Sequence, residues 1–138
     1  MNYEAGACFA LGTVQVDARD ARAFAEQHDR NPVHVTGVGN GLLPDGTVSG
    51  IFTTALLVNA LMRSTLADGV LCAVEMRVRW RRPVREGDRL LVTAEIVRAY
   101  RRKRTVRVLG ALSVADGSAV VVELDQVIQP GGPHGADG

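Results

Sequence analysis

Cysteine is nearly absent from this chain: of 138 residues only Cys8 and Cys72 carry a thiol, too few for a disulfide-stapled scaffold and at no spacing that ligates a metal. Both lie on apolar stretches, so two buried free thiols are expected. Aromatic residues are as scarce, 4% with a single tryptophan, and they do not interleave with arginines as a platform for single-stranded nucleic acid requires. Neither sign of charge dominates, since sixteen basic residues face fifteen acidic ones for a net charge of +1. The longest apolar run, around residues 55–62, is far short of a bilayer span, and the N-terminus lacks a basic region followed by an apolar signal segment. The expectation is a cytoplasmic protein that enters no membrane and binds no nucleic acid.

What is present is ordinary globular material, 46% hydrophobic and 22% charged. No internal repeat interrupts it, and the length suits one domain with its own core. The charge is unevenly spread: from Arg77 to Arg107 there are twelve basic residues against Glu86, Asp88 and Glu95. That surface is either the solvated face of a sheet or an attraction for an anionic partner, of which a phosphorylated acyl carrier or an acidic carrier protein fits best.

The stretch with chemical content is His28-Asp29-Arg30-Asn31-Pro32-Val33-His34. Proline has no N–H and drives the residue before it out of helical space, so Asn31-Pro32 breaks the chain between Asp29 and His34 and lets both side chains reach one pocket. Imidazole titrates near neutrality and a carboxylate orients it, so the two form a minimal acid/base pair. The same residues also suit a plain surface turn.

Upstream, residues 7–16 read as a first strand. Asp17 reads as the N-cap of a short helix that carries Ala21, Phe24, Ala25 and His28 on one face. Downstream, residues 35–46 are too rich in glycine and proline for regular structure and read as a flap or pocket wall, at a spacing that matches no phosphate loop. From Thr47 or Ser49 to about Ala67 runs the one long helix, closed by Asp68-Gly69 and apolar around most of its circumference, which requires that other structure wrap it. Gly50 lies in its first turn. There it either offers a backbone N–H to an oxygen gaining negative charge or simply permits close packing.

Four strands follow. In the first, Cys72, Val74, Met76, Val78 and Trp80 alternate with Glu75, Arg77, Arg79 and Arg81, which predicts a core face and a basic face. Strands over 90–100, 105–115 and 119–128 complete the set, and the short connections predict antiparallel pairing of consecutive strands. The layout is α+β, a curved antiparallel sheet around a long central apolar helix.

This order, with Asp29-Arg30-Asn31-Pro32-Val33-His34 before the helix and Arg82-Pro83-Val84-Arg85-Glu86-Gly87-Asp88 after it, resembles the MaoC-like dehydratases, the R-specific enoyl-CoA hydratase group of the hotdog fold. The resemblance implies a hotdog domain over residues 1–129, and the glycine-rich end, 130–138, reads as a disordered tail. It further implies a hydro-lyase that adds water reversibly to a 2-enoyl thioester on coenzyme A or acyl carrier protein. Asp29 and His34 match the family's catalytic pair and Gly50 its oxyanion glycine. Asn31, Ser49, Ile51 and Phe52, their neighbours, are expected to line the substrate pocket. No metal and no cofactor is implied beyond the coenzyme A or phosphopantetheine of the substrate, and two copies are expected to pair as a homodimer. The chain departs from many members at Thr36, where an acidic residue is common, and at Ser49, where histidine is common. A hotdog thioesterase and a non-catalytic acyl-thioester binder remain the alternatives.

Overall fold

The computed structural model describes residues 3–64 and 70–130. Strand β1 (Cys8–Gln15) leads into helix α1 (Ala18–His28), the short helix α2 (Pro32–Thr36) and the long helix α3 (Gly50–Arg63). Strands β2 (Val70–Trp80), β3 (Arg89–Tyr100), β4 (Thr105–Val114) and β5 (Val120–Pro130) complete the chain order. All pair antiparallel in one sheet of order β1-β3-β4-β5-β2. No helix among the described residues is long and apolar enough to cross a membrane.

Each helix begins and ends for a local reason. The Asp17 carboxylate caps α1 by accepting from the Asp20 N–H at 2.9 Å, and α1 buries Ala21 and Ala25. Asn31 does the same for α2, its Oδ1 accepting from the Val33 N–H at 3.1 Å, and Pro32 takes the first helical position, where a missing N–H costs nothing. Gly37 closes α2 at φ +76°, a left-handed conformation that suits glycine. Residues 35 and 36 are thus helical, where an irregular stretch was expected, because Asn31 and Pro32 start a turn that Gly37 can finish.

Helix α3 presses Phe52, Thr53, Leu57 and Leu61 into the core, where they meet Val92, Ile96, Val108, Leu112 and Leu124 of the sheet. Gly110 of β4 lets it come close: a Cβ there would lie 3.0 Å from the Leu61 Cδ1. Burying a leucine of this kind contributes ~2 kcal/mol. The helix is not wrapped on every side as its composition implied, for Ile51 and Met62 are 56% and 54% exposed. Its described part ends at Arg63 with Ser64 as cap; the stop expected at Asp68-Gly69 lies outside the described residues.

Further expectations are corrected. Strands β2 and β3 are consecutive but not paired, since β2 lies beside β5 at the far edge and β3 beside β1. The segment between them straps the amino end of α3 instead: Val48 N–H donates to the Val84 carbonyl at 2.8 Å, and Thr47 bridges Arg85. On the edge strand β2, Val78 packs against the core, but Val74, Met76 and Trp80, read as core, are about half exposed. The Cys8 thiol, also expected inside, is exposed on the other edge strand, β1; the Cys72 side chain lies outside the described residues. Strand β5 runs through Pro130, one residue into the expected tail, and the remainder, 131–138, lies outside the described residues.

Candidate active site

The acid/base pair is assembled by a chain reversal that costs strain. Asp29 caps the end of α1, Arg30 comes next in the left-handed region at φ 59°, and Asn31 and Pro32 then launch α2. A non-glycine residue in that conformation costs ~1 kcal/mol. The reversal brings His34 on α2 back over the end of α1, where its Nδ1 lies 2.5 Å from the Asp29 Oδ2. Both side chains are largely buried.

Burial pushes the Asp29 carboxyl up, but the nearby Ser49 hydroxyl, the hydrogen bond and charge of His34 and the Asn31 backbone more than offset it, so the group titrates below its ordinary value. Asp29 is therefore a carboxylate at neutral pH and the His34 Nδ1 is the donor. That fixes the tautomer: in the neutral imidazole Nε2 keeps the lone pair, free to take a proton from a third group.

A cavity of about 410 Å³ joins this pair to the start of α3, and Asp29, His34, Ser49, Gly50, Ile51 and Trp80 all contribute to its wall. Its volume is that of a small-molecule site. Gly50 is the first residue of the helix, so its N–H has no intrahelical acceptor. Ser49 is 1% exposed, and its Oγ has no partner in hydrogen-bond geometry among the described residues. A buried hydroxyl left in that state, beside a carboxylate and in a cavity wall, is available to a ligand or a bound water. The mouth is basic: Arg81 and Arg82 line it, Arg81 is paired with Glu123 at 2.9 Å, and Arg82 has no ion pair among the described residues.

The glycine-rich segment after α2 forms the other wall and is well tied. Asn40 Oδ1 accepts from the Leu42 and Leu43 N–H groups, Asp45 Oδ1 accepts from the Gly39 N–H, and Gly46 N–H reaches the Gly37 carbonyl at 2.8 Å. Leu43 brings this segment to the cavity, while Leu42 is 91% exposed. Beneath it, Arg22 of α1 and Glu86 form a two-pronged ion pair at 2.6 and 2.8 Å, against which Gly37 rests.

Of the residues expected in the site, Asp29, His34, Ser49, Gly50 and Ile51 come together around one cavity. Asn31 and Phe52 do not join them. Asn31 is spent on capping α2, and Phe52, 9% exposed, faces the core, where its ring meets Phe24 at 5.5 Å. Adjacent positions on a helix point about 100° apart, and here Ile51 takes the cavity side while Phe52 takes the core. Trp80 was missed, because alternation assigned it to the core. Its Nε1–H donates to the Gly50 carbonyl at 2.8 Å, and its ring fills the space a Cβ on Gly50 would need. Among the described residues no group of three or more His, Cys, Asp or Glu side chains could hold a metal ion.

Comparison with known proteins agrees with this architecture. The 3-hydroxybutyryl-CoA dehydratase of Methylorubrum extorquens is 29% identical over 105 residues, which cover 74% of this chain and 66% of that protein, just under two thirds of its length. The unliganded R-hydratase of Pseudomonas aeruginosa superposes with a TM-score of 0.77 at 26% identity, covering 92% of this chain and 81% of that one. A MaoC-like dehydratase from Rhodospirillum rubrum superposes at 0.80 with 24% identity and 94% of both chains covered, a likeness of fold. The sheet and central helix are thus those of the hotdog fold. The model of the MaoC like domain matches residues 10–117, and the chain belongs to that family.

Proposed function

We propose that this protein is a hydro-lyase that adds water reversibly to a 2-enoyl thioester to give the 3-hydroxyacyl thioester, with Asp29 and His34 as its acid/base pair. The observation that carries the reading is the Asp29–His34 hydrogen bond in the wall of the same cavity as the first turn of α3. A water held on His34 Nε2 gives a proton to Nε2 as its oxygen bonds to C3 of the enoyl group, and the Asp29 carboxylate on Nδ1 stabilises the imidazolium that forms. The electron pair of the double bond moves through C2 onto the thioester oxygen. Charge grows there only as the transition state is approached, so the fixed Gly50 N–H at a helix N-terminus lowers the barrier rather than merely tightening binding. The imidazolium then returns its proton to C2, and elimination runs through the same steps backwards. All the atoms of the added water end in the product.

The acyl group is carried on coenzyme A or on the phosphopantetheine of a carrier protein, a reading supported by the arginines at the mouth and by the relative named for a coenzyme A thioester. No resident cofactor is needed. We further propose that a second copy covers the β2 edge, where Val74, Met76 and Trp80 stand about half exposed, as does Ile51 of α3; an apolar open edge of this kind invites pairing.

The test incubates the purified protein with crotonyl-CoA, a longer enoyl-CoA and an enoyl-pantetheine, following enoyl absorbance and free thiol together. The expected result is loss of the enoyl signal without thiol release, reduced about a thousandfold by Asp29→Asn or His34→Ala. Release of free thiol from these substrates would replace the hydratase with a thioesterase. Saturable binding without turnover would make the protein an acyl-thioester binder.

A further inference from the structure

Gly50 has no side chain to hold it, and nothing intrinsic to glycine fixes the direction in which its N–H points. The peptide that bears this N–H is held at the Ser49 carbonyl, which accepts from the Thr53 N–H at 3.1 Å, and the peptide on the other side of Gly50 is held at the Gly50 carbonyl. That oxygen accepts from the Thr53 Oγ1 at 2.7 Å and the Thr54 Oγ1 at 2.9 Å, both within α3, and from the Trp80 Nε1 at 2.8 Å. Among the described residues the indole makes the one hydrogen bond to Gly50 from outside the helix. The ring also closes on the glycine itself, for a Cβ there would stand 2.8 Å from Nε1 and 2.9 Å from Cε2. Trp80 belongs to β2, which pairs with β5 on the far side of the sheet, so this contact ties the helix start to a strand remote in sequence.

Trp80 is not a core residue. It is 53% exposed and stands outside the buried cluster, yet it lines the cavity that holds Asp29, His34 and Ser49. Burial alone gives no reason for an indole rather than a phenyl ring at this place. The N–H does, because an indole offers a flat face for Gly50 and, on the same ring, a donor for its carbonyl, which a phenyl ring lacks.

We propose that Trp80 is a positioning residue that fixes the first turn of α3, so that the Gly50 N–H keeps its aim at the thioester oxygen. The proposal rests on reading the cavity as an acyl-thioester site. Trp80 acts through Gly50, and its contribution is greatest where charge on that oxygen is greatest, in the transition state.

The test is Trp80→Phe, which keeps the ring and deletes the donor, compared with the wild type. We expect kcat for enoyl-thioester hydration to fall about tenfold, less than the hundredfold or more of losing an oxyanion donor outright, with KM within about twofold and the thermal midpoint little changed. A wild-type kcat in the variant overturns the proposal, and so does a joint loss of kcat, KM and thermal midpoint, the mark of a merely structural residue. The second measurement is the amide resonances of Gly50 and Ile51 in a ¹⁵N-labelled sample, expected to move in Trp80→Phe. Unmoved resonances overturn the proposal whatever the rates. Should the wild type turn over no enoyl thioester, the hydratase reading fails and these resonances alone decide the role of Trp80.

Discussion

The two halves of α3 are built for different purposes. In its second half Leu57 and Leu61, 0% and 3% exposed, press on the sheet at Gly110, and their contacts are those of a packed core. At its start Ser49 is equally buried yet its hydroxyl has no partner in hydrogen-bond geometry among the described residues, Gly50 lies in a cavity wall, and Ile51 is more than half exposed. One half maximises contact; the other holds donors unspent. A helix organised in this way keeps its stability and its chemistry one or two turns apart, so each can be perturbed with limited effect on the other.

The largest expected effect on stability comes from the packed half. Leu57→Ala removes a fully buried side chain wedged between helix and sheet and is expected to cost ~3 kcal/mol of unfolding free energy. Denaturant titration measures it. Turnover per folded molecule should remain within about threefold of wild type, since the residue is about two turns from Gly50. A loss of turnover far beyond the loss of folded protein would break the separation of the two halves.

Gly37→Ala sharpens the comparison from outside the helix. The residue closes α2 at φ +76°, and an added Cβ would stand 2.5 Å from the Arg22 guanidinium and 3.1 Å from Glu86. Strain and displacement of the ion pair together are expected to cost ~1–2 kcal/mol. Because α2 carries His34, turnover per folded molecule should fall as well, by about tenfold, with Asp29 and His34 themselves intact. Thermal unfolding and initial rates measured on one preparation separate the two effects. Stability lost without activity would mean that the turn tolerates movement at its end.

Much of this organisation was legible in the sequence because it is local. Asp17 and Asn31 cap donors that lie within three residues of them, and Asn31-Pro32 marks the break that brings Asp29 and His34 together. The strands were legible from their alternation, but their order was not. That β2 lies beside β5 rather than β3 is decided by long-range pairing, to which a short connecting segment is a poor guide. The same gap hid Trp80. Alternation assigns it to one face of a strand and assumes that face is covered, and the assumption fails at a sheet edge. Only the fold brings Trp80 and Gly50, thirty positions apart, into contact. Phe52 shows the opposite error: it stands two positions from Gly50, yet its side chain points into the core and not to the cavity.

The smallest effect, and the most specific, is the pH dependence of stability at Asp29. The folded-state carboxyl lies below its ordinary value of 3.8, so it contributes stability that is fully present above the unfolded pKa and lost as pH falls through the depressed folded one. Asparagine at this position fits the same space and does not titrate. The difference in unfolding free energy between wild type and Asp29→Asn is therefore expected to narrow as the pH falls below about 4. Asp116 and Asp125 are also held down, by Ser118 and Arg107, but they are common to both proteins and cancel in the difference. A gap that stays constant down to about pH 3 would mean that the contact with His34 does not depend on a negative Asp29. The Nδ1 proton would then be unassigned, and with it the free lone pair on Nε2 that the hydration step requires.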